Sequence, residues 1–206
     1  MTLAEVLYAY DLTGAQLLHQ RFGQSKLARA LWEVLSHTGD GILWFLMVLP
    51  VVGIMWLAGY LDNASPAAKT VFVSFYTCNF VDIIAIILMK LAFKRQRPPH
   101  HRADGRFVGP DQHSFPSGHA TRVWCIVALF LDMSSRQPEV IRSFFSISPT
   151  AMRVLIVLWA LSISFSRIAL GRHYPSDVLA GSLIGAFLLY PIASLIIQQT
   201  SGVKQA

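Results

Sequence analysis

Two long stretches of the chain, residues 41–61 and 178–203, contain no charged side chain. Each exceeds the roughly 20 apolar residues needed to cross a hydrocarbon core. Together with three shorter apolar runs, the pattern predicts spans near 41–60, 70–90, 117–134, 152–168 and 177–198. The third and fourth are less clean, because Arg122 and Asp132 fall inside one and Arg153 and Arg167 bound the other. Strand-like alternation is missing. An all-α, integral membrane helical bundle is therefore expected.

The first 35 residues follow a different pattern. Glu5, Asp11, Arg21 and Lys26 interrupt them, while Leu3, Val6, Leu7, Tyr10, Leu17 and Leu18, then Leu27, Leu31 and Leu35, recur at helical spacing. Such helices either lie in the membrane interface or pack against the bundle. Ser36-His37-Thr38-Gly39-Asp40-Gly41 reads as a turn and cap before the first span. The chain thus divides into an amphipathic region, 1–40, and one transmembrane domain, 41–200. No basic segment followed by an apolar core opens it, so no cleaved signal peptide is expected.

Composition narrows the partners. Hydrophobic residues make up 54% and charged residues 14% of the 206, against about 25% charged in a soluble domain. The net charge of +6 is compatible with nucleic acid, anionic lipid or a phosphorylated substrate. The basic residues sit beside apolar spans, which argues against nucleic acid. Cys78 and Cys125 both fall in apolar segments and read as buried free thiols. Asn63-Ala64-Ser65 matches a glycosylation sequon, but the short loop and Pro66 argue against its use.

With five spans, the loops after the second and the fourth lie on one face. That face, shared with the N-terminal region, carries 12 of the 17 lysines and arginines. The positive-inside bias makes it cytoplasmic. An endoplasmic reticulum membrane, or the inner membrane of a prokaryote, is the expected location.

Three short stretches at the edges of the spans supply one chemistry. Lys90, Arg97 and Arg167 form a cationic clamp for phosphate, with arginine giving bidentate bonds and lysine a point charge. Pro116-Ser117-Gly118-His119 precedes an apolar run, where a helix start offers free amides to an anion. There Gly118 lets the backbone approach and Ser117 adds a donor. His119 can protonate the leaving oxygen. His173 is the candidate nucleophile, and Asp177, one helical turn on, can accept the proton of its other ring nitrogen. No metal and no cofactor is required, since three cations take that role. His100, His101 and His113 have no carboxylates at ligand spacing and are expected at the mouth of the site. Asp82 lies in the middle of the second span, where a carboxylate is costly. It is expected to support Lys90 or Arg122, to pair with a polar group in the bundle, or to be protonated.

The combination Lys90-x6-Arg97-Pro98, Pro116-Ser117-Gly118-His119 and Ser166-Arg167-x5-His173-x3-Asp177 resembles the type 2 phosphatidic acid phosphatase superfamily, the lipid phosphate phosphatases. The resemblance covers Lys90 to Asp177. It implies a helical membrane fold and metal-independent dephosphorylation through a phosphohistidine. By position, it makes His173 the nucleophile, Asp177 its partner and His119 the acid. Lys90, Arg97, Ser117, Gly118 and Arg167 would bind phosphate. Ser36 to Gly41, Phe115 to Arg122 and Leu170 to His173 further resemble the presqualene and polyisoprenoid diphosphate phosphatase branch. Many members have six spans, so five plus amphipathic helices is a departure. The expected function is hydrolysis of a membrane-borne lipid phosphate, foremost an isoprenoid diphosphate. A phosphatidic acid or sphingoid-base phosphatase is the alternative enzyme. A non-catalytic lipid-binding relative would be expected to have lost His173 or His119. Vanadate haloperoxidases share the motifs but are soluble, and only Asp82 hints at a transporter.

Overall fold

The computed structural model describes residues 2–59, 65–101 and 108–201, and these fold into helices without a strand. The sequon at Asn63 lies outside the described residues. Helices begin where the sequence places a capping side chain, often followed by proline. Thr2 and Glu5 form a reciprocal box at α1 (Leu3–Phe22), and Ser25 caps α2 (Lys26–His37). Three residues of α3 (Gly41–Leu43), a wide π-type turn (Trp44–Val48) and α4 (Leu49–Leu57) run on as one helix. Ser65 and Ser148 cap α5 (Pro66–Phe93) and α8 (Pro149–Ala169), each with proline in the first turn. Proline suits that position because its missing N–H would be unpaired there anyway. Between these lie α6 (Gly118–Arg136) and α7 (Pro138–Phe145). After α8, α9 (Pro175–Ile184) continues through a second wide turn into α10 (Tyr190–Ser201).

Helices therefore occupy all five expected spans. Three of them, Pro66–Phe93, Pro149–Ala169 and Pro175–Gln199, are long and apolar enough to cross a membrane, and Trp44–Leu57 is a shorter apolar helix. The other, α6, is the central helix, packed against α5, α8 and α9. Eleven of its residues are buried, among them Thr121, Arg122 and Ser134. A helix enclosed by other helices can keep such residues, because protein groups and not lipid surround them. Its partners form a core around Cys125, Ile126, Leu129, Phe130 and Met133, with Cys78 from α5 and Met152 from α8. Both cysteines are free and buried.

Close approach of α9 to α6 depends on two glycines one turn apart. A Cβ on Gly185 would stand 2.1 Å from the Thr121 carbonyl oxygen, and one on Gly181 2.9 Å from that of Ser117. Both obstacles are backbone, so neither can yield without moving a helix. Gly185→Ala should therefore destabilise the fold by about 1–3 kcal/mol or more, read as a lower midpoint in detergent unfolding. A midpoint equal to wild type would mean that α6 and the helix of Gly185 cross with room for a Cβ.

The N-terminal helices pack against the bundle, α1 on α8 and α9 and α2 on α8. Their apolar stripe nevertheless points outward: Leu3, Leu7, Tyr10, Leu17, Leu27 and Leu31 are all exposed. The docked side of α1 uses polar groups instead, together with buried Ala15 and partly buried Leu18.

Candidate functional site

Chain ends of α5 and α8 and chain starts of α6 and α9 meet at one end of the bundle. Lys90 sits in the last turn of α5 and is only 2% exposed. Its ammonium donates to the Asp111 carboxylate and to the His113 carbonyl, both at 2.8 Å. Arg97, from the loop after α5, donates through one nitrogen to the Arg172 carbonyl at 2.7 Å and lies 3.4 Å from Nε2 of His173. Its other terminal nitrogen reaches the Asp111 carbonyl at 2.5 Å and lies 3.7 Å from the Asp111 carboxylate. Arg167, in the last turn of α8, donates to the Ser36 hydroxyl at 2.5 Å. The Asp111 carboxylate that occupies Lys90 is itself half-exposed.

Ser117 immediately precedes α6, yet its hydroxyl makes no capping bond and has no hydrogen-bond partner. Its N–H donates to the Asp177 carbonyl at 3.1 Å, which ties the start of α6 to that of α9. Gly118 opens α6 and packs near Ile86. His119 follows in the first turn. It stands in the field of Arg167, Arg122, Arg172 and Lys90.

His173 is 2% exposed in the loop between α8 and α9. Nε2 faces Arg97, and Nδ1 lies 3.6 Å from Oδ2 of Asp177. That separation is beyond a hydrogen bond, so Asp177 is placed to accept the Nδ1 proton but does not yet do so. Apo sites often hold such contacts long. Asp177 itself is fully buried, and its two oxygens accept from Arg95 at 2.6 Å and from the Tyr174 N–H at 3.0 Å.

Burial pushes the His173 imidazole well below its ordinary pKa, reinforced by Arg97, Arg167, Lys90 and His119. The effect favours the neutral ring, the form a nucleophile needs. Protonation of His173 should therefore limit kcat/KM only below about pH 6.5, the ordinary histidine value. A pH profile with a histidine-like acid limb above that value would contradict this environment.

Lys90, Arg97, Ser117, Gly118, His119, Arg167, His173 and Asp177 are thus brought together at this end of the bundle. Glu33 and Arg95 carried no local sign, and Ser36 was marked only within the stretch 36–41, not as a partner of Arg167. Ser36 holds Arg167 from the end of α2, Glu33 holds Arg172 at 2.7 and 3.0 Å, and Arg95 holds Asp177. The segment after Ser36 is more than a cap. The Gly39 carbonyl accepts from Arg122 at 3.3 Å, and a Cβ on Gly41 would lie 2.6 Å from that guanidinium carbon. Asp82 pairs with Arg122 at 2.8 Å, which selects Arg122 over Lys90 as its partner. His100 stacks on His19 of α1 at 5.0 Å between ring centroids. Among the described residues, no group of three His, Cys, Asp or Glu side chains has metal-holding geometry.

The model of the PAP2 superfamily matches residues 68–201. A lipid A 1-phosphatase of Rhizobium johnstonii is 32% identical over 171 residues, covering 76% of this chain and 63% of the relative. A decaprenylphosphoryl-5-phosphoribose phosphatase of Mycobacterium tuberculosis is 35% identical over 107 residues, covering 52% of this chain and 51% of the relative. The chain thus spans about half to two thirds of the length of these relatives. Among solved structures, a transmembrane PAP2 type phosphatidylglycerolphosphate phosphatase from Bacillus subtilis superposes with a TM-score of 0.66. It is 18% identical, with 99% of this chain and 90% of that one covered.

Proposed function

Because the chain belongs to the PAP2 superfamily, we propose that it is a membrane phosphatase that removes phosphate from a lipid through a phosphohistidine. The observation that carries this reading is His173, buried and neutral, with Nε2 turned to Arg97 and Nδ1 to Asp177. Nε2 attacks the terminal phosphorus, the bond from that phosphorus to the oxygen of the leaving group (the bridging oxygen of a departing lipid monophosphate, or the lipid oxygen of a monoester) breaks, and His119 gives that oxygen its proton. Asp177 accepts a hydrogen bond from the Nδ1–H, without taking the proton, and stabilises the charge that the ring gains. Water then attacks the phosphohistidine, returning a proton to His119 and releasing inorganic phosphate. Lys90, Arg97, Arg167, the Ser117 hydroxyl and the first amides of α6 hold the phosphoryl oxygens. Preorganised donors of this kind are worth about 3–4 kcal/mol each at the transition state.

The five helices at 41–57, 66–93, 118–136, 149–169 and 175–201 cross the membrane in this reading. α1 and α2 lie in the interface beside the site, with their exposed leucines in the acyl region. Excess lysine and arginine on that side make it cytoplasmic. A scissile phosphate can then sit at the headgroup level while its tail stays in the bilayer.

An isoprenoid diphosphate is the substrate we favour, on the resemblance of residues 36–41, 115–122 and 170–173 to that branch. A second reading, a phosphate monoester on a glycolipid, is favoured by the relatives named for lipid A and for decaprenylphosphoryl-5-phosphoribose. Phosphate release by detergent-purified protein in EDTA would be compared on farnesyl diphosphate, lipid A and phosphatidic acid. Release in EDTA, greatest on farnesyl diphosphate, is the expected result. Preference for lipid A would move the assignment to the second reading. Loss of all release in EDTA, reversed by added divalent metal, would remove the metal-free mechanism.

A further inference from the structure

Arg95 stands two residues before Arg97, but its guanidinium is committed elsewhere. One terminal nitrogen donates to Asp177 at 2.6 Å and to the Ser176 hydroxyl at 2.7 Å, and the other to Asp11 of α1 at 2.7 Å. The group also lies over the Tyr174 ring, 4.0 Å from its centroid. Asp11 closes the circuit by accepting from the Ser176 N–H at 2.9 Å and from the Ser176 hydroxyl. We infer that Arg95 and Asp11 are positioning residues for the nucleophile. Through them, helix α1 fixes the Asp177 carboxylate beside Nδ1 and so, together with Arg97 at Nε2, biases the ring tautomer of His173. This rests on the reading of His173 as the attacking residue.

Asp177 has two oxygens and two fixed donors, Arg95 on Oδ1 and the Tyr174 N–H on Oδ2. Donors on different oxygens set the plane of a carboxylate. In that plane Oδ2 is the oxygen 3.6 Å from Nδ1 of His173. A proton held on Nδ1 leaves Nε2 with a lone pair, and Nε2 is the nitrogen facing Arg97. Both terminal nitrogens of Arg95 bind carboxylates. Without it, two buried carboxylates would face one another across Ser176. Like charges so placed disfavour joint ionisation, and a protonated Asp177 oriented by one donor no longer demands the Nδ1–H tautomer. Asp11 does for Arg95 what Arg95 does for Asp177.

The test needs no assumption about substrate. Full-length protein with 15N-labelled histidine in dodecyl maltoside would be studied by long-range 1H–15N correlation at pH 7.5. His173 is identified as the signal missing from His173→Gln. Wild type should show the Nδ1–H tautomer. Arg95→Met should shift His173 toward Nε2–H, Arg95→Lys should largely restore the wild-type pattern, and Asp11→Asn should fall between. On farnesyl diphosphate, kcat of Arg95→Met should fall about 10–100-fold, as for loss of an outer orienting partner, with KM unchanged. An unchanged His173 tautomer in Arg95→Met and Asp11→Asn would overturn the inference. So would a raised KM at constant kcat, which would place Arg95 in the phosphate clamp. If Arg95→Met does not fold, the near-isosteric Asp11→Asn decides by the same signals. Wild type inactive on farnesyl diphosphate would count against the proposed substrate, while the tautomer still decides the positioning.

Discussion

His173→Ala should lower phosphate release from a lipid phosphate by at least about 10⁴-fold at pH 7, the scale on which loss of a covalent nucleophile is felt. The expectation follows from the absence of a substitute at that position. Nε2 is the ring nitrogen that reaches Arg97, and His119 comes from a different element, the first turn of α6. Truncation removes the attacking atom but leaves the clamp of Lys90, Arg97 and Arg167, so substrate should still bind. KM should therefore change far less than kcat. The intermediate gives an independent readout. Wild type quenched during turnover of 32P-labelled substrate should carry acid-labile, base-stable phosphate, and His173→Ala should carry none. Since His173 is nearly fully buried, a matching unfolding midpoint is needed to show that the loss is chemical. Retention of more than about one hundredth of wild-type activity would remove His173 as nucleophile.

Asp82→Asn should destabilise the folded protein by about 3–5 kcal/mol, because it leaves the Arg122 guanidinium buried and unpaired. The two side chains meet at 2.8 Å between α5 and α6, with Asp82 fully buried and Arg122 nearly so. An exposed pair of the same length would contribute only about 0–1 kcal/mol. Burial changes the arithmetic because the guanidinium has no water to return to while the helices remain packed. The Gly39 carbonyl at 3.3 Å is its other neutral support. Replacing both partners, Asp82→Leu with Arg122→Met, should recover most of the loss, since no charge is then stranded. Unfolding in mixed micelles would measure all three variants. Asp82→Asn within about 0.5 kcal/mol of wild type would mean that Arg122 finds water or another acceptor, and that the pair is not structurally needed.

Helices were legible along most of the chain because a span is a local property: some 20 apolar residues and a cap suffice. Central α6 shows where that reading weakens. Arg122 and Asp132 made it look a poor span, and it is the most enclosed helix of the bundle. Arg122 is answered by Asp82 on another helix, which no window along α6 contains, while Asp132 pairs with Arg136 one turn on. For α1 the leucine spacing marked a stripe but left open whether it faces the membrane interface or the bundle. Leu3, Leu7 and Leu17 are exposed, and Asp11 and His19 make the bonds to the bundle.

The candidate site divides along the same physical line. Residue type and spacing were enough to single out Lys90, Arg97, Ser117, Gly118, His119, Arg167, His173 and Asp177, because phosphate chemistry demands cations, free amides and imidazoles in company. Those demands are properties of side chains and short turns, and they are written locally. Partners of these groups are another matter. Arg95 occupies an unmarked place between Lys90 and Arg97, and Asp11 lies 165 residues from Ser176, to which it binds. Ser36 and Arg167 are 131 residues apart. Asp82 had two plausible cationic partners in the sequence, and the crossing of α5 and α6 selected one. By itself, the sequence determined a helical membrane chain with an inventory for phosphate. Only the tertiary structure decided which nitrogen of His173 faces the clamp, what holds Asp177 and which face of α1 docks. Each of those depends on directional bonds a few ångströms long between segments distant in the chain, and only packing brings such segments together.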